Sequence, residues 1–157
     1  MTSSDSQAAA RSKVLKRLAV RDHSVAEVRV FLARNGFSET VIENVIRELR
    51  TEGLLDDQRF ARSLSTSYIS RGKGPAYVLA KLRQKGVPVS SHDLKQLFRE
   101  LLSEEEELKL ARKIVTRKYP EANRNMKMYL RAHQALLRKG FSTDLIRKAL
   151  GRPPASE

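Results

Sequence analysis

The sequence predicts an all-α fold, an elongated array of three tandem three-helix repeats. Three observations carry this. Apolar residues at Ile42, Val45, Ile46 and Leu49 stand at i, i+3, i+4 and i+7, one face of a helix. The same face returns 52 residues later at Leu94, Leu97, Phe98 and Leu101, and after 52 more at Ile146, Ala149 and Leu150. Each copy follows a leucine, a basic or amide stretch and a glycine: Leu32-Ala33-Arg34-Asn35-Gly36-Phe37, Leu82-Arg83-Gln84-Lys85-Gly86-Val87 and Leu136-Leu137-Arg138-Lys139-Gly140-Phe141. A glycine just past a periodic run, followed by an apolar residue, marks a left-handed helix C-cap with its hydrophobic contact. A motif repeating at this period reads as a helical repeat. No strand alternation competes.

The elements follow in order. In the first copy helices are expected near residues 9–20, 25–35 and 39–52, with Ser24 and Glu27 forming a capping box for the middle one. In the second they fall near 58–70, 75–85 and 92–102. Asp57 caps the first, Pro75 suits the first turn of the next, and Ser91 caps the third. In the third they fall near 104–118, 125–139 and 143–150, with a second capping box at Ser103 and Glu106 and a break at Pro120. The turn after Gly86 is two residues longer than its counterparts because of Val87-Pro88-Val89-Ser90-Ser91. The repeats therefore span 9–55, 56–102 and 103–151, between flexible ends at 1–8 and 152–157. Units of about 50 residues are marginal alone, so neighbours are expected to share apolar surface.

Composition narrows the function. The chain of 157 residues carries 31 Lys and Arg against 18 Asp and Glu, a net charge of +13. Residues 1–53 hold +2 of it, 54–102 hold +5 and 103–157 hold +6. The field belongs to the folded body of the second and third repeats and favours a polyanion or an acidic protein surface. With no cysteine, disulfides, thiolate metal sites and thiol nucleophiles are excluded. No apolar run approaches the roughly 20 residues of a membrane span, and residues 1–10 lack a signal-peptide core. A soluble, cytoplasmic monomer without cofactor or metal is expected.

Catalysis has little support. His23, His92 and His133 are far apart and in no metal-type spacing. Asp56-Asp57 could hold magnesium or act as acid and base, but the pair directly precedes a helix, where carboxylates satisfy orphan amides. Arg71-Gly72-Lys73-Gly74-Pro75 lacks the order of a phosphate-binding loop. Its glycines, cations and following helix N-terminus could still meet one phosphate or carboxylate, against the plainer reading of an interhelical turn. The acidic run Glu104 to Glu107 reads as a first helical turn complementing the dipole, with Lys109, Arg112 and Lys113 as partners one turn on.

The basic residues are the most informative. Arg71, Lys73, Lys81, Arg83 and Lys85 in the second repeat, with Arg112, Lys113, Arg117, Lys118, Arg131, Arg138 and Lys139 in the third, are the expected partner-binding residues. Aromatics are few (5 Phe, 4 Tyr, no Trp), and four of the phenylalanines take core positions. Contact with nucleic acid should therefore be phosphate-directed, salt-sensitive and weakly sequence-selective. A helix-turn-helix regulator is the alternative, disfavoured because the third helices of copies one and two are not strongly basic.

Four segments carry a family resemblance: residues 21–28 (Arg-Asp-His-Ser-Val-Ala-Glu-Val), 53–61 (Gly-Leu-Leu-Asp-Asp-Gln-Arg-Phe-Ala), 71–75 (Arg-Gly-Lys-Gly-Pro) and 81–87 (Lys-Leu-Arg-Gln-Lys-Gly-Val). In this order they resemble the RecX family, over residues 14–150, more specifically in copies one and two than in copy three. The resemblance implies tandem three-helix repeats and a non-enzymatic regulator in DNA repair, recombination and the SOS response. Such a regulator binds the RecA recombinase filament, with contact to the DNA phosphate backbone possible, and modulates, usually inhibits, RecA ATPase, filament growth and strand exchange.

Overall fold

A computed structural model describes residues 2–155. Residues 1, 156 and 157, parts of the ends expected to be flexible, lie outside the described residues. Among the described residues there are nine helices and no strand: α1 (Ser3–Leu18), α2 (Val25–Arg34), α3 (Glu39–Thr51), α4 (Asp57–Ser70), α5 (Pro75–Gln84), α6 (Ser91–Leu101), α7 (Glu104–Lys118), α8 (Met126–Arg138) and α9 (Thr143–Leu150). They group into two compact units. One runs through Ser63 and includes Leu82–Pro88; the other takes Leu64–Lys81 and the described chain from Val89 onward.

Local chemistry sets the helix starts. Ser24 accepts from the Glu27 amide while Glu27 caps back, and Ser103 and Glu106 repeat the device as expected. Three starts differ from the sequence reading. Helix α1 begins at Ser3, six residues early, because Thr2 and Asp5 form a further capping box and the alanines behind them are strong helix formers. Helix α6 is capped by Ser90, not Ser91, since Ser90 pairs reciprocally with Asp93 and leaves Ser91 as the first helical residue. Helix α4 is capped by Asp56, whose Oδ1 accepts from the amides of Gln58 (2.9 Å) and Arg59 (3.2 Å). Asp57 is thereby released to accept from the amide of Val25 at 2.9 Å, so the acidic pair serves the starts of two helices.

In the first unit α1, α2 and α3 close over Ala10, Val14, Val28, Leu32, Val41, Ile42, Val45, Ile46 and Leu49, all buried. These are the periodic positions of the sequence. In the second unit α7, α8 and α9 enclose Ala111, Tyr129, Ala132, Leu136, Phe141, Leu145 and Ile146. At about 25 cal/mol per Å² of apolar area removed from water, burial of this kind is the main stabilising term in each.

Each unit also contains one joint, in which the glycine turn of one repeat seats on the first turn of the middle helix of the repeat before it. In the first unit the Ser24 hydroxyl donates to the Lys85 carbonyl at 2.6 Å, and Gly86 lies against Ala26 so closely that a Cβ on it would overlap the alanine methyl. In the second unit the Gly74 amide donates to the Lys139 carbonyl at 2.7 Å and the Ala76 amide to the Gly140 carbonyl at 3.1 Å. A Cβ on Gly74 would stand 2.6 Å from the Gly140 oxygen, and one on Gly140 would overlap the backbone nitrogen of Tyr77. Gly74 thus lets the backbone make the contact that the serine hydroxyl makes in the first unit.

Gly140 has φ +93° and no room; Gly36 has φ +81° with open space around it. Gly36→Ala should lower stability by about 1 kcal/mol, the cost of the left-handed backbone alone. Gly140→Ala should cost about 3 kcal/mol or more, because the joint must also open. Denaturant unfolding of both variants checks the difference.

Candidate binding surface

The first unit satisfies many of its cations internally. Arg11 pairs with Glu52 (2.7 Å), Arg29 with Glu39 (2.6 Å) and Glu43, Arg59 with Asp22 (3.3 Å), and Arg17 lies over the Phe31 ring at 4.3 Å. Lys85 belongs with these. Its Nζ donates to Glu27 at 3.0 Å, and Arg21 meets the same carboxylate at 3.2 Å. Burial alone would raise the pKa of Glu27, but hydrogen bonds from Arg21, Lys85 and the Ser24 backbone overcome it and hold the carboxyl at about 2. The positive charge of Lys85 is therefore engaged within the fold. Arg83, also in this unit, is exposed with no ion pair among the described residues.

The second unit is arranged differently. The joint brings Lys139, from the α8–α9 turn, beside Lys73, from the α4–α5 turn, and Lys118, the last residue of α7. Lys139 is half-buried, and its pKa is pushed down by desolvation and then by repulsion from Lys73 and Lys118. Around the same turn, Tyr68 and Tyr77 pack edge to face with ring centroids 5.3 Å apart. Arg71 lies over Tyr68 at 5.5 Å, while Lys73 and Lys81 lie over Tyr77 at 4.5 and 5.5 Å. Among the described residues Arg71, Lys73, Lys118 and Lys139 form no ion pair. The same holds for Lys113 and Arg117 on α7 and Arg131 and Arg138 on α8, all four exposed. Arg112 donates weakly to the Lys148 carbonyl at 3.4 Å.

So the structure gathers Arg71, Lys73, Lys81, Lys118 and Lys139 around one joint. It leaves Arg112, Lys113, Arg117, Arg131 and Arg138 along α7 and α8, and it pairs Lys85 with an acid of its own unit. The helix terminus at Pro75 is not a phosphate cradle. Its Gly74 and Ala76 amides already donate to Lys139 and Gly140, so an anion at this turn would be held by side chains. The sequence reading missed Tyr68 and Tyr77 as neighbours of the cations. Their only sequence signal is that they flank the basic glycine turn nine residues apart.

The acidic run of α7 divides its work rather than forming one solvated face. Glu104 pairs with Lys148 (2.9 Å), Glu105 with Lys109 one turn on (2.9 Å), and Glu106 closes the capping box. Glu107 is buried and meets Arg99. Glu104, Glu105 and Glu107 thus each meet a cation of their own unit, and none of them is paired with Lys139. His23 is buried with Nδ1 3.0 Å from the Arg21 carbonyl oxygen, and burial pushes its pKa down. Among the described residues no group of three or more His, Cys, Asp or Glu could hold a metal, and no helix is long and apolar enough to cross a membrane.

Three successive models of RecX three-helix domains match this chain: the first domain at residues 10–49, the second at 56–90 and the third at 104–150. Regulatory protein RecX of Prosthecochloris aestuarii is 36% identical over 152 residues, covering 96% of this chain and 96% of that protein. The chain belongs to the RecX family. Regulatory protein RecX of Halorhodospira halophila is 35% identical over 147 residues, 90% of this chain and 86% of that one. A crystal structure of regulatory protein RecX superposes with a TM-score of 0.78 at 25% identity, over 94% of this chain and 72% of the other. The RecX structure from Lactobacillus salivarius shares the fold with a TM-score of 0.80 at 21% identity, over 94% and 96%.

The low pKa of Glu27 gives a pH dependence with a definite sign. Its folded value of about 2 lies below the ordinary 4.5, so its contribution to stability is complete above about pH 5 and is lost as pH falls toward 2. Glu27→Gln should lower stability at neutral pH and flatten its fall between about pH 5 and 2.5, read from urea midpoints across that range.

Proposed function

We propose that this RecX family chain is a non-enzymatic regulator that binds the RecA–DNA filament and inhibits RecA ATPase, filament growth and strand exchange. The observation that carries the reading is the match of all three repeats, in order, to a family whose relatives are named regulatory proteins. The charge distribution supports it. The cations of the second unit that lack internal acids, with those along α7 and α8, provide several separated positive contacts on one chain. Individually weak contacts to a polymer gain from effective concentration when one scaffold carries them. Such contacts suit DNA phosphate and acidic protein surface alike, and both should weaken with salt. Lys85 contributes to this function through the fold, by holding Glu27, rather than as a partner contact.

The test is DNA-dependent ATP hydrolysis by RecA, with and without the protein, across a salt series. Hydrolysis should fall at amounts at or below stoichiometric, and the effect should shrink as salt rises. Charge reversal at Arg117 and Arg131 together should weaken inhibition about tenfold while leaving helicity unchanged. Full RecA activity at stoichiometric amounts of the unaltered protein would contradict the reading.

A further inference from the structure

The two joints can be compared residue by residue. The middle helices α2 and α5 begin in the same register: Ser24 and Gly74 at the cap, then Val25 and Pro75, Ala26 and Ala76, and at the third helical position Glu27 and Tyr77. The lysine before the seated glycine is Lys85 in the first joint and Lys139 in the second. In the first joint the lysine carbonyl is held by the cap residue and its ammonium by Glu27 at 3.0 Å. In the second the carbonyl is again held by the cap residue, but the position of the acid is taken by an uncharged tyrosine. Two further lysines, Lys73 and Lys118, stand close enough to repel Lys139. The second joint therefore keeps the lysine and the backbone contact of the first, omits the counter-ion and adds cations.

We propose that the second joint is an oxyanion site in which a phosphate group of a single-stranded nucleic acid supplies the negative charge that Glu27 supplies in the first joint. Two features favour a nucleic acid strand over an acidic peptide. The cations Arg71, Lys73, Lys118 and Lys139 exceed what one carboxylate neutralises and match consecutive phosphodiesters. The half-buried rings of Tyr68 and Tyr77 lie beneath cations, and a phosphate that draws Arg71 or Lys73 off a ring face leaves that face to an unstacked base, which a duplex does not present. The contacts are to phosphate and ring faces, so sequence preference is weak. Occupancy also relieves the repulsion on Lys139, which ties binding to the firmness of the joint. The site deepens the proposed regulatory function by naming its nucleic-acid contact, but its chemistry rests on the joint alone.

The experiment measures fluorescence anisotropy of a labelled oligothymidylate of about 20 nucleotides with the full chain, in the absence of RecA, at several salt concentrations. Tyr77→Glu rebuilds the acid of the first joint. It should weaken binding about tenfold or more and leave the thermal midpoint equal or higher. Tyr77→Phe keeps the ring without the charge and should stay within about threefold of the unaltered protein. Should Tyr77→Glu fail to fold, Lys118→Gln with Lys139→Gln removes the site from the other side. That pair should weaken binding about tenfold without lowering the midpoint.

Binding by Tyr77→Glu, or by the folded lysine pair, equal to that of the unaltered protein would overturn the proposal. So would displacement of the oligonucleotide by polyglutamate at equal charge concentration, or tighter binding of a duplex of the same length. Because RecA is absent, failure here would leave the regulatory reading standing. Conversely, oligonucleotide binding that behaves as described, with RecA hydrolysis unaffected, would remove the regulatory reading and leave this site in place.

Discussion

The carbonyl of the lysine before a glycine turn, captured at the start of a neighbouring helix, is the contact on which much else in this molecule depends. It explains why the turn must be glycine: a side chain at Gly86 would run into the Ala26 methyl and one at Gly140 into the Tyr77 backbone, where each turn seats on the repeat before it. It explains why α5 begins with Gly74 and Pro75, a residue that admits a carbonyl at close range followed by one with no amide to leave unsatisfied. The same contact uses up the α5 amides that would otherwise have made the basic turn a phosphate cradle. One hydrogen bond of this kind contributes only about 1 kcal/mol, but it fixes position to within a fraction of an ångström, and the side chains on either side inherit that precision.

Electrostatics follows from the same joint. In the first unit Lys85 is carried to Glu27, and the pair with Arg21 becomes part of the structure. In the second unit the same movement carries Lys139 to Lys73 and Lys118. Capture of the lysine carbonyl by the cap residue thus gives the lysine a counter-ion in one joint and none in the other, and the difference turns on whether the third residue of the middle helix is glutamate or tyrosine. Holding like charges together lowers the stability of the empty protein and raises the value of an anion that can join them. Placing this arrangement at a joint also means that a bound anion and the seating of one repeat on another reinforce each other.

Much of the fold was legible because helical periodicity and glycine turns are local signals. The core faces at Ile42, Val45 and Ile46, and at Ile146 and Leu150, were read directly from their spacing, and both are buried. Helix starts were less secure where two candidate caps were adjacent. Ser90 and Ser91 differ only in which can pair with Asp93, and Asp56 and Asp57 only in which is needed elsewhere. The charge clusters were not legible. Lys73, Lys118 and Lys139 are separated by 45 and 21 residues, and only the joint brings them together. The sorting of Lys85 and of Glu104 to Glu107 into internal pairs likewise depends on tertiary neighbours such as Glu27, Lys148 and Arg99.

The central claim is that the α8–α9 turn is seated on the start of α5 by the backbone. Native-state hydrogen exchange at the amides of Gly74 and Ala76 tests it most directly. These two stand where the unpaired amides of a helix start ordinarily exchange with water. If they donate to Lys139 and Gly140, they should exchange as slowly as amides in the middle of α8, slower by orders of magnitude than the frayed start of an unseated helix. Fast exchange at both, with α8 itself protected, would contradict the account.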